Sequence, residues 1–474
     1  YTLWLDSALR DPEIGRFSFL AVDPFLVLRS RRGEAELLDR EGWRRTGRSP
    51  LSELERLSRR FRLDAPADGP AFQGGAAGYF GYELGRQLER LPRSRWRDPE
   101  LPEMEVGFYD VVLGWDHANG DAWLVSTGRP AGGREASRRA EERAKVVEGW
   151  LRGDPSPEPQ LPAAAGGAPP ARPDPSVLPG GGPAGDEVAG PPAHAVPGHP
   201  RLRSTFTPGG YEDAVGRGVE YILAGDVFQV NLSQRFTAPM DGDAFAVYRR
   251  LRGDNAAPFA AFMTTPACTL ASASPERFLK VARDGSVETR PIKGTRPRGL
   301  HPLHDMHLEF ELAASEKDRA ENLMIVDLLR NDLSRVCRPG SVRVPSLFRR
   351  ESYATVHHLV SVVSGRLEEG RGRVDLLRAA FPGGSVTGAP KIRAMEIIAE
   401  IEPVCRGPYC GSVGYLGFDG SMDTSITIRT LVAVDGEVHF HAGGAVVADS
   451  RPRREYLETL DKAAGMIDAL PGPA

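Results

Sequence analysis

Cysteine is scarce in this chain: Cys268, Cys337, Cys405 and Cys410 are the only four among 474 residues. No two form a CxxC pair and none has a His-rich neighbourhood, which argues against a structural zinc site and a disulfide framework. Free thiols in a reducing cytoplasm are the expectation. Long apolar runs are missing too. None approaches the roughly 18 residues of a membrane helix, and no secretory signal opens the sequence. A cytoplasmic protein with no membrane partner is expected. Nor is there an excess of one charge: 60 Lys and Arg against 64 Asp and Glu leave a net charge of −4. The Arg clusters are interleaved with acids and read as solvated surface, which argues against a nucleic-acid partner. What remains is 41% hydrophobic and 26% charged, the composition of a soluble globular protein long enough for two or three domains.

Three regions follow from composition. Residues 1–152 alternate strand-like runs ("LWLDSA", "FSFLAVDPFLVLRS") with helical ones, such as "LSELERLSRRF" with Leu51, Leu54, Leu57 and Phe61 on one face. Gly74 to Glu83 reads as a Gly-rich bend between aromatics, with a packing role. Residues 153–200 are Pro, Gly and Ala with hardly any large apolar side chain, the composition of a flexible connector or insertion. Residues 201–474 carry the dense pattern: a helix from Tyr211 to Leu223, a strand with Gln229, Asn231 and Ser233, strands leading to Lys293, and helices from Pro302 onward.

Chemistry concentrates in this last region. Lys293 lies in "RPIKGTRPRG", a Pro/Gly-punctuated stretch that cannot be a helix interior, flanked by arginines. An amine is nucleophilic only when neutral, and neighbouring positive charge lowers its pKa toward that state. Ser315 opens a helix as N-cap, with Asp318 and Glu321 on one face; Glu455, Glu458 and Lys462 share a face near the C-terminus. Two such helices could hold one Mg²⁺, a hard cation that prefers oxygen ligands. Equally, Asp318 can serve the cap and Glu458 an i,i+4 ion pair with Lys462. The segment Phe381 to Lys391 is a Gly-rich loop feeding a helix, without the order of a phosphate loop. Ala442-Gly443-Gly444-Ala445 is a second place where backbone can approach a ligand, and Arg429, read in the strand "TSITIRT", adds fixed positive charge. Together these suit a small, multiply anionic substrate.

The motifs "GDVFQVNLSQRF", "SASPERF", "PIKGTRPRG", "EKDRAENLMIVDLLRNDLSRV", "HHLVSVVSG", "FPGGSVTGAPKIRAMEIIAEIEP", "PYCGSVGYLGFDG", "TSITIRT" and "AGGAVVADSRPRREYLETLDKA" resemble, in order, those of the chorismate-utilising enzymes. They cover essentially Thr205 to Met466, and "LWLDSA…GRFSFLAVDP" with "GGAAGYFGYELGR" resembles the N-terminal half of anthranilate and aminodeoxychorismate synthase components I. The resemblance implies an α/β (α+β) fold: a large sandwich of mostly antiparallel sheets with flanking helices, as in anthranilate synthase component I, with the two sequence halves interleaved. Isochorismate and salicylate synthases have a water-activating lysine where this chain has Gln229, and anthranilate synthases have Ala where it has Lys293. Pro-Ile-Lys-Gly-Thr resembles the aminodeoxychorismate-forming branch, a transferase of the p-aminobenzoate and folate route.

By that resemblance, Lys293 is the nucleophile that forms a covalent adduct, Glu276 the acid/base residue, and His358 lines the pocket with His357 as its structural neighbour. Glu321 and Glu458 match the Mg²⁺ carboxylates, with Asp318 and Glu455 outside them. Tyr409 and Arg429 match the residues on the enolpyruvyl carboxylate; Gly443, Gly444 and Lys462 lie by the ring carboxylate, and Thr387 in the same pocket. Ala445 replaces a frequent third glycine. Ser7, Asn255 and Pro258 fall where some relatives bind tryptophan, although "NAAPF" lacks the first Pro of that segment. The chain has no Gly-x-Cys-x-Gly nucleophile segment of a glutamine amidotransferase, so a separate glutaminase subunit is the expected source of ammonia. The alternatives are an anthranilate synthase component I, which eliminates pyruvate and needs no lysine at 293, and a non-catalytic chorismate-binding subunit.

Overall fold

Residues 1–64, 69–96, 98–154, 159–162, 191–353 and 356–471 are described by a computed structural model. Runs of β-branched and aromatic residues build two antiparallel sheets of twelve strands each. Both sheets draw on both ends of the sequence. In the first, Thr2–Asp6 lies between Phe17–Val22 and Phe259–Thr264. This sheet continues through Thr269–Ser274, Thr430–Val434 and Glu437–Val446 to Gln229–Pro239. In the second, Gly75–Phe80 lies between Met104–Tyr109 and Ser412–Gly417. From there the order runs through Met422–Ile426, Arg277–Val281, Ser286–Thr289 and Val356–Arg366 to Ile292–Pro297.

The sheets pack face to face through Leu3, Phe19, Tyr79, Tyr109, Met263 and Tyr415, with Phe72 stacked on Tyr415 at 4.4 Å between centroids. Helices cover the outer faces. Pro50–Arg60 begins with Pro at its first turn, where no N–H is needed, and buries Leu51, Leu54 and Leu57 at i, i+3 and i+6. It shares a core with Glu316–Ser334 and Arg373–Ala380 on the second sheet. Ala244–Asp254 and Pro452–Ala469 pack on the first sheet, beside Pro208–Leu223 and Lys391–Ile401. This is the expected sandwich, interleaved as expected. All four cysteines are buried and free, and no described helix is long and apolar enough to cross a membrane.

Two local readings change. The Gly-rich stretch is not a bend: Gly75–Phe80 is a strand buried at every position. Its small residues admit the neighbouring strands, since a Cβ on Gly78 would lie 2.2 Å from the Glu105 carbonyl oxygen. The connector is also shorter than its composition suggests. Helix Gly133–Arg152 ends at Gly153 in the left-handed region, and Leu161 then packs with Val27 and Leu38. His194–Val196 and His199–Ser204 pair as a hairpin on the edge of the first sheet. The rest of that stretch, 155–158 and 163–190, lies outside the described residues.

Candidate active site

Lys293 sits on a β-bulge. Ile292 pairs with Val360 and Thr295 with His358, so this strand spends one residue more than its partner. Gly294 provides the bend at φ +83, and a Cβ there would lie 2.9 Å from Asp318 Cβ and Leu312 Cδ1. Bulges re-aim side chains. Here the half-buried Lys293 Nζ donates to the Ser385 carbonyl at 2.9 Å. Burial lowers the Lys293 pKa below its ordinary value; Glu321, Glu276 and Glu458 oppose the shift and Lys462 reinforces it.

Glu276 and Arg429 occupy two crossings between the sheets. The chain leaves the first sheet after Ser274 and enters the second at Arg277, then returns between Ile426 and Thr430. The crossings run side by side: Ile426 N donates to Glu276 O at 3.0 Å and Ala273 N to Arg429 O at 3.1 Å. Arg429 therefore lies outside the strand in which the sequence places it. Glu276 is 5% exposed. Burial raises its pKa to about 7, against the Ser385 hydroxyl, the Lys293 charge and the Ile292 N–H. The Ser385 hydroxyl donates to Glu276 Oε1 at 2.7 Å. The carboxyl is raised and the amine lowered, so their pKa values are shifted toward each other, which eases proton exchange between them.

Arg429 is half-buried at φ +50, a left-handed backbone rare for a side chain of its size. Burial lowers its pKa, and among the described residues no carboxylate pairs with it. Arg277, by contrast, is bound to Asp423 and Glu288. A half-buried guanidinium without a carboxylate is suited to receive an anion. The Tyr409 ring stacks on His441, 4.9 Å between centroids and 8° from parallel. Arg406 lies 5.6 Å from the same ring.

Strand alternation decides between the two histidines. His357 bonds Ser352 Oγ at 2.7 Å and Asp305 Oδ1 at 2.9 Å, away from the site. His358 Nδ1 meets Thr295 Oγ1 at 2.9 Å. Burial, with Arg429 adding to it, lowers the His358 pKa to about 3, so its ring is neutral. Thr387 is fully buried and donates to Gly383 O at 3.0 Å, while its carbonyl accepts from Asn231 N at 2.8 Å. Gln229 is also fully buried, and among the described residues neither end of its amide has a partner.

The four carboxylates divide by role. Ser315 caps its helix through Asp318 N at 3.2 Å, and Asp318 accepts from Arg296 Nη2 at 3.2 Å. Glu458 and Lys462 form the i,i+4 pair at 2.7 Å, and Lys462 Nζ also donates to Gly443 O at 2.9 Å. The ion-pair reading of Glu458 therefore holds, whereas the Asp318 carboxylate is held by Arg296 and only its backbone N–H meets the cap. Among the described residues, no three His, Cys, Asp or Glu side chains form a group able to hold a metal. The donor chemistry nevertheless suits a hard cation. A Cβ on Gly444 would lie 3.1 Å from Glu455 Oε2 and 3.2 Å from Glu458 Oε1, so an added methyl group would require these carboxylates to shift by a few tenths of an ångström. Burial raises Glu321 and Glu455, with Glu458 adding its charge to both. Glu458 itself is held low, because Lys462, Lys317 and Lys293 outweigh its burial.

The Ser7 hydroxyl donates to Phe17 O at 2.6 Å and Pro258 O at 3.3 Å, and Asn255 Nδ2 to Gly465 O at 3.5 Å, so these polar groups are spent on backbone. Three contributors escape a reading of the sequence. Ser385 bridges Lys293 and Glu276; Arg406 ties Val386 O and Asn231 O to Glu402 at 3.0, 2.6 and 2.6 Å; His441 backs Tyr409. Only the i,i+4 spacing of Glu402 and Arg406 offered a signal.

Known proteins share this architecture. The chorismate binding enzyme family model matches residues 8–468. Aminodeoxychorismate synthase component 1 of Salmonella typhimurium is 41% identical, over 96% of this chain and 90% of that protein. Anthranilate synthase component 1 of Streptomyces coelicolor is 42% identical, over 90% of this chain and 78% of its own length. The crystal structure of anthranilate synthase component I from Streptococcus pneumoniae superposes with a TM-score of 0.78 at 30% identity, covering 97% of this chain and 94% of that one. With the family model spanning nearly its whole length, the chain belongs to the chorismate-binding enzymes.

Proposed function

We propose that this protein makes 4-amino-4-deoxychorismate from chorismate and ammonia through a covalent Lys293 adduct. The observation that carries the reading is the bulged Lys293, its pKa lowered by burial, charge-coupled to a Glu276 carboxyl raised to about 7. Neutral Lys293 Nζ forms a bond to C2 of the ring as the double bond shifts and the C4–O bond breaks. Glu276 delivers its proton to the departing oxygen, which leaves as water. Ammonia then bonds to C4, the double bond returns, and the Nζ–C2 bond breaks to release the amine. Arg429 and Tyr409 hold the enolpyruvyl carboxylate, and Lys462 with the Gly443–Gly444 backbone holds the ring carboxylate. Glu321 and Glu458, flanked by Asp318 and Glu455, would hold a Mg²⁺ whose charge offsets that carboxylate. Neutral His358 and Thr387 shape the pocket. The name "component 1" of the relatives supports a partner subunit, for which a glutaminase supplying ammonia is the reading.

The test is product identity. With chorismate, Mg²⁺ and excess ammonium at alkaline pH, aminodeoxychorismate is expected. Lys293→Ala should lose at least about 100-fold in kcat while still binding chorismate, and the wild-type protein should gain the mass of the adduct when ammonia is withheld. Anthranilate as product would move the assignment to the lyase branch. An unimpaired Lys293→Ala would end the covalent mechanism.

A further inference from the structure

Ser385 touches both reacting side chains. Its carbonyl accepts from Lys293 Nζ at 2.9 Å and its hydroxyl donates to Glu276 Oε1 at 2.7 Å. We propose that Ser385 is a positioning residue which sets the Lys293–Glu276 geometry and biases the protonation of Glu276. The inference rests on the covalent reading above and deepens it.

The loop that carries Ser385 is fixed on three sides. A Cβ on Gly383 would lie 2.5 Å from Ile426 Cδ1, and one on Gly384 2.4 Å from Leu328 Cδ2, so the loop is wedged between an inter-sheet crossing and the helix that bears Glu321. Val386 O accepts from Asn231 Nδ2 at 3.2 Å and Arg406 Nη1 at 3.0 Å. Ser385 is itself 8% exposed. Its carbonyl is therefore held whatever the side chain, and a substitution isolates the hydroxyl.

The groups facing Glu276 are the Lys293 amine, the Ser385 hydroxyl, the Ile292 N–H and the buried Cys410 thiol. Burial favours the neutral acid, while a donated hydroxyl favours the carboxylate. Without that hydroxyl, Glu276 keeps its proton to higher pH and its carboxyl is oriented, among the described residues, by the Ile292 N–H alone.

The experiment is a pH–rate profile of the full-length protein at constant free ammonia, with Lys293→Ala and Glu276→Gln alongside. Glu276→Gln identifies which limb belongs to Glu276. In Ser385→Ala that limb should move to higher pH and kcat should fall about 10–100-fold, with KM within about twofold. Ser385→Thr, which keeps a hydroxyl, should restore the limb. Ser385→Cys, which conserves volume with a weaker donor, should shift it in the same direction as Ala, and provides the test if the Ala variant does not fold. Unchanged kcat and limb in the folded Ala or Cys variant would overturn the proposal while leaving the covalent reading intact. Full activity in Lys293→Ala would overturn the covalent reading instead.

Discussion

A half-buried arginine with no carboxylate beside it is expensive to keep. Arg429 bears that cost twice, in desolvation and in its φ of +50, a backbone state worth about 1–3 kcal/mol for a residue with a side chain. Among the described residues no carboxylate offsets it, and in the proposed function an anion does. Arg429→Gln should therefore weaken chorismate binding about 10–100-fold, the worth of charge-assisted hydrogen bonds, while the melting temperature stays level or rises. Titration calorimetry and thermal unfolding on the same variant separate these effects. A melting temperature several degrees lower would make Arg429 structural. At this scale the sequence was informative where chemistry follows residue type: Lys293 before a glycine, paired carboxylates at helical spacing. It was silent on Ser385, because a serine in a Gly-rich loop has no pattern of its own and its two partners lie 92 and 109 positions away.

Elements were legible wherever a periodic apolar face decides them. Helices Pro50–Arg60 and Pro208–Leu223 run almost where the sequence places them. Gly75–Phe80 was not, because in a strand buried on both faces small residues replace alternation. The side-by-side sheet crossings were also hidden, since sheet membership is a property of pairing rather than of local sequence. They matter most, for they place Glu276 and Arg429. Glu437–Val446 lends itself to a test of the cation proposal. At Gly444 the missing Cβ leaves room for Glu455 and Glu458, so Gly444→Ala should push these carboxylates aside without breaking the strand ladder. The Mg²⁺ concentration for half-maximal activity should rise about 10–100-fold with the far-ultraviolet dichroism unchanged. An unaltered Mg²⁺ dependence would remove Glu455 and Glu458 from the cation site.

For the molecule as a whole, the composition break at 153–200 marks a boundary in sequence but not in folding. Thr2–Asp6 pairs with Phe259–Thr264, and Gly75–Phe80 with Ser412–Gly417. Removing residues 1–152 would strip both C-terminal strands of a partner and leave two unpaired edges. It would also take Leu3, Phe19, Tyr79 and Tyr109 out of the inter-sheet core. A buried aromatic is worth about 3–5 kcal/mol, and a whole domain is stable by only about 5–15 kcal/mol, so losing three aromatics exhausts the margin. Residues 201–474, though they hold every proposed catalytic and substrate-binding side chain, should by themselves be aggregated, without a cooperative melt or chorismate binding. Expression together with 1–152 should restore both, as read by size-exclusion chromatography and calorimetry. A monomeric 201–474 fragment that melts cooperatively would show that the N-terminal strands decorate a self-sufficient catalytic sheet. The paired registers argue otherwise: Glu276 and Arg429 lie on the crossings between the two sheets, and neither sheet is complete without both halves of the chain.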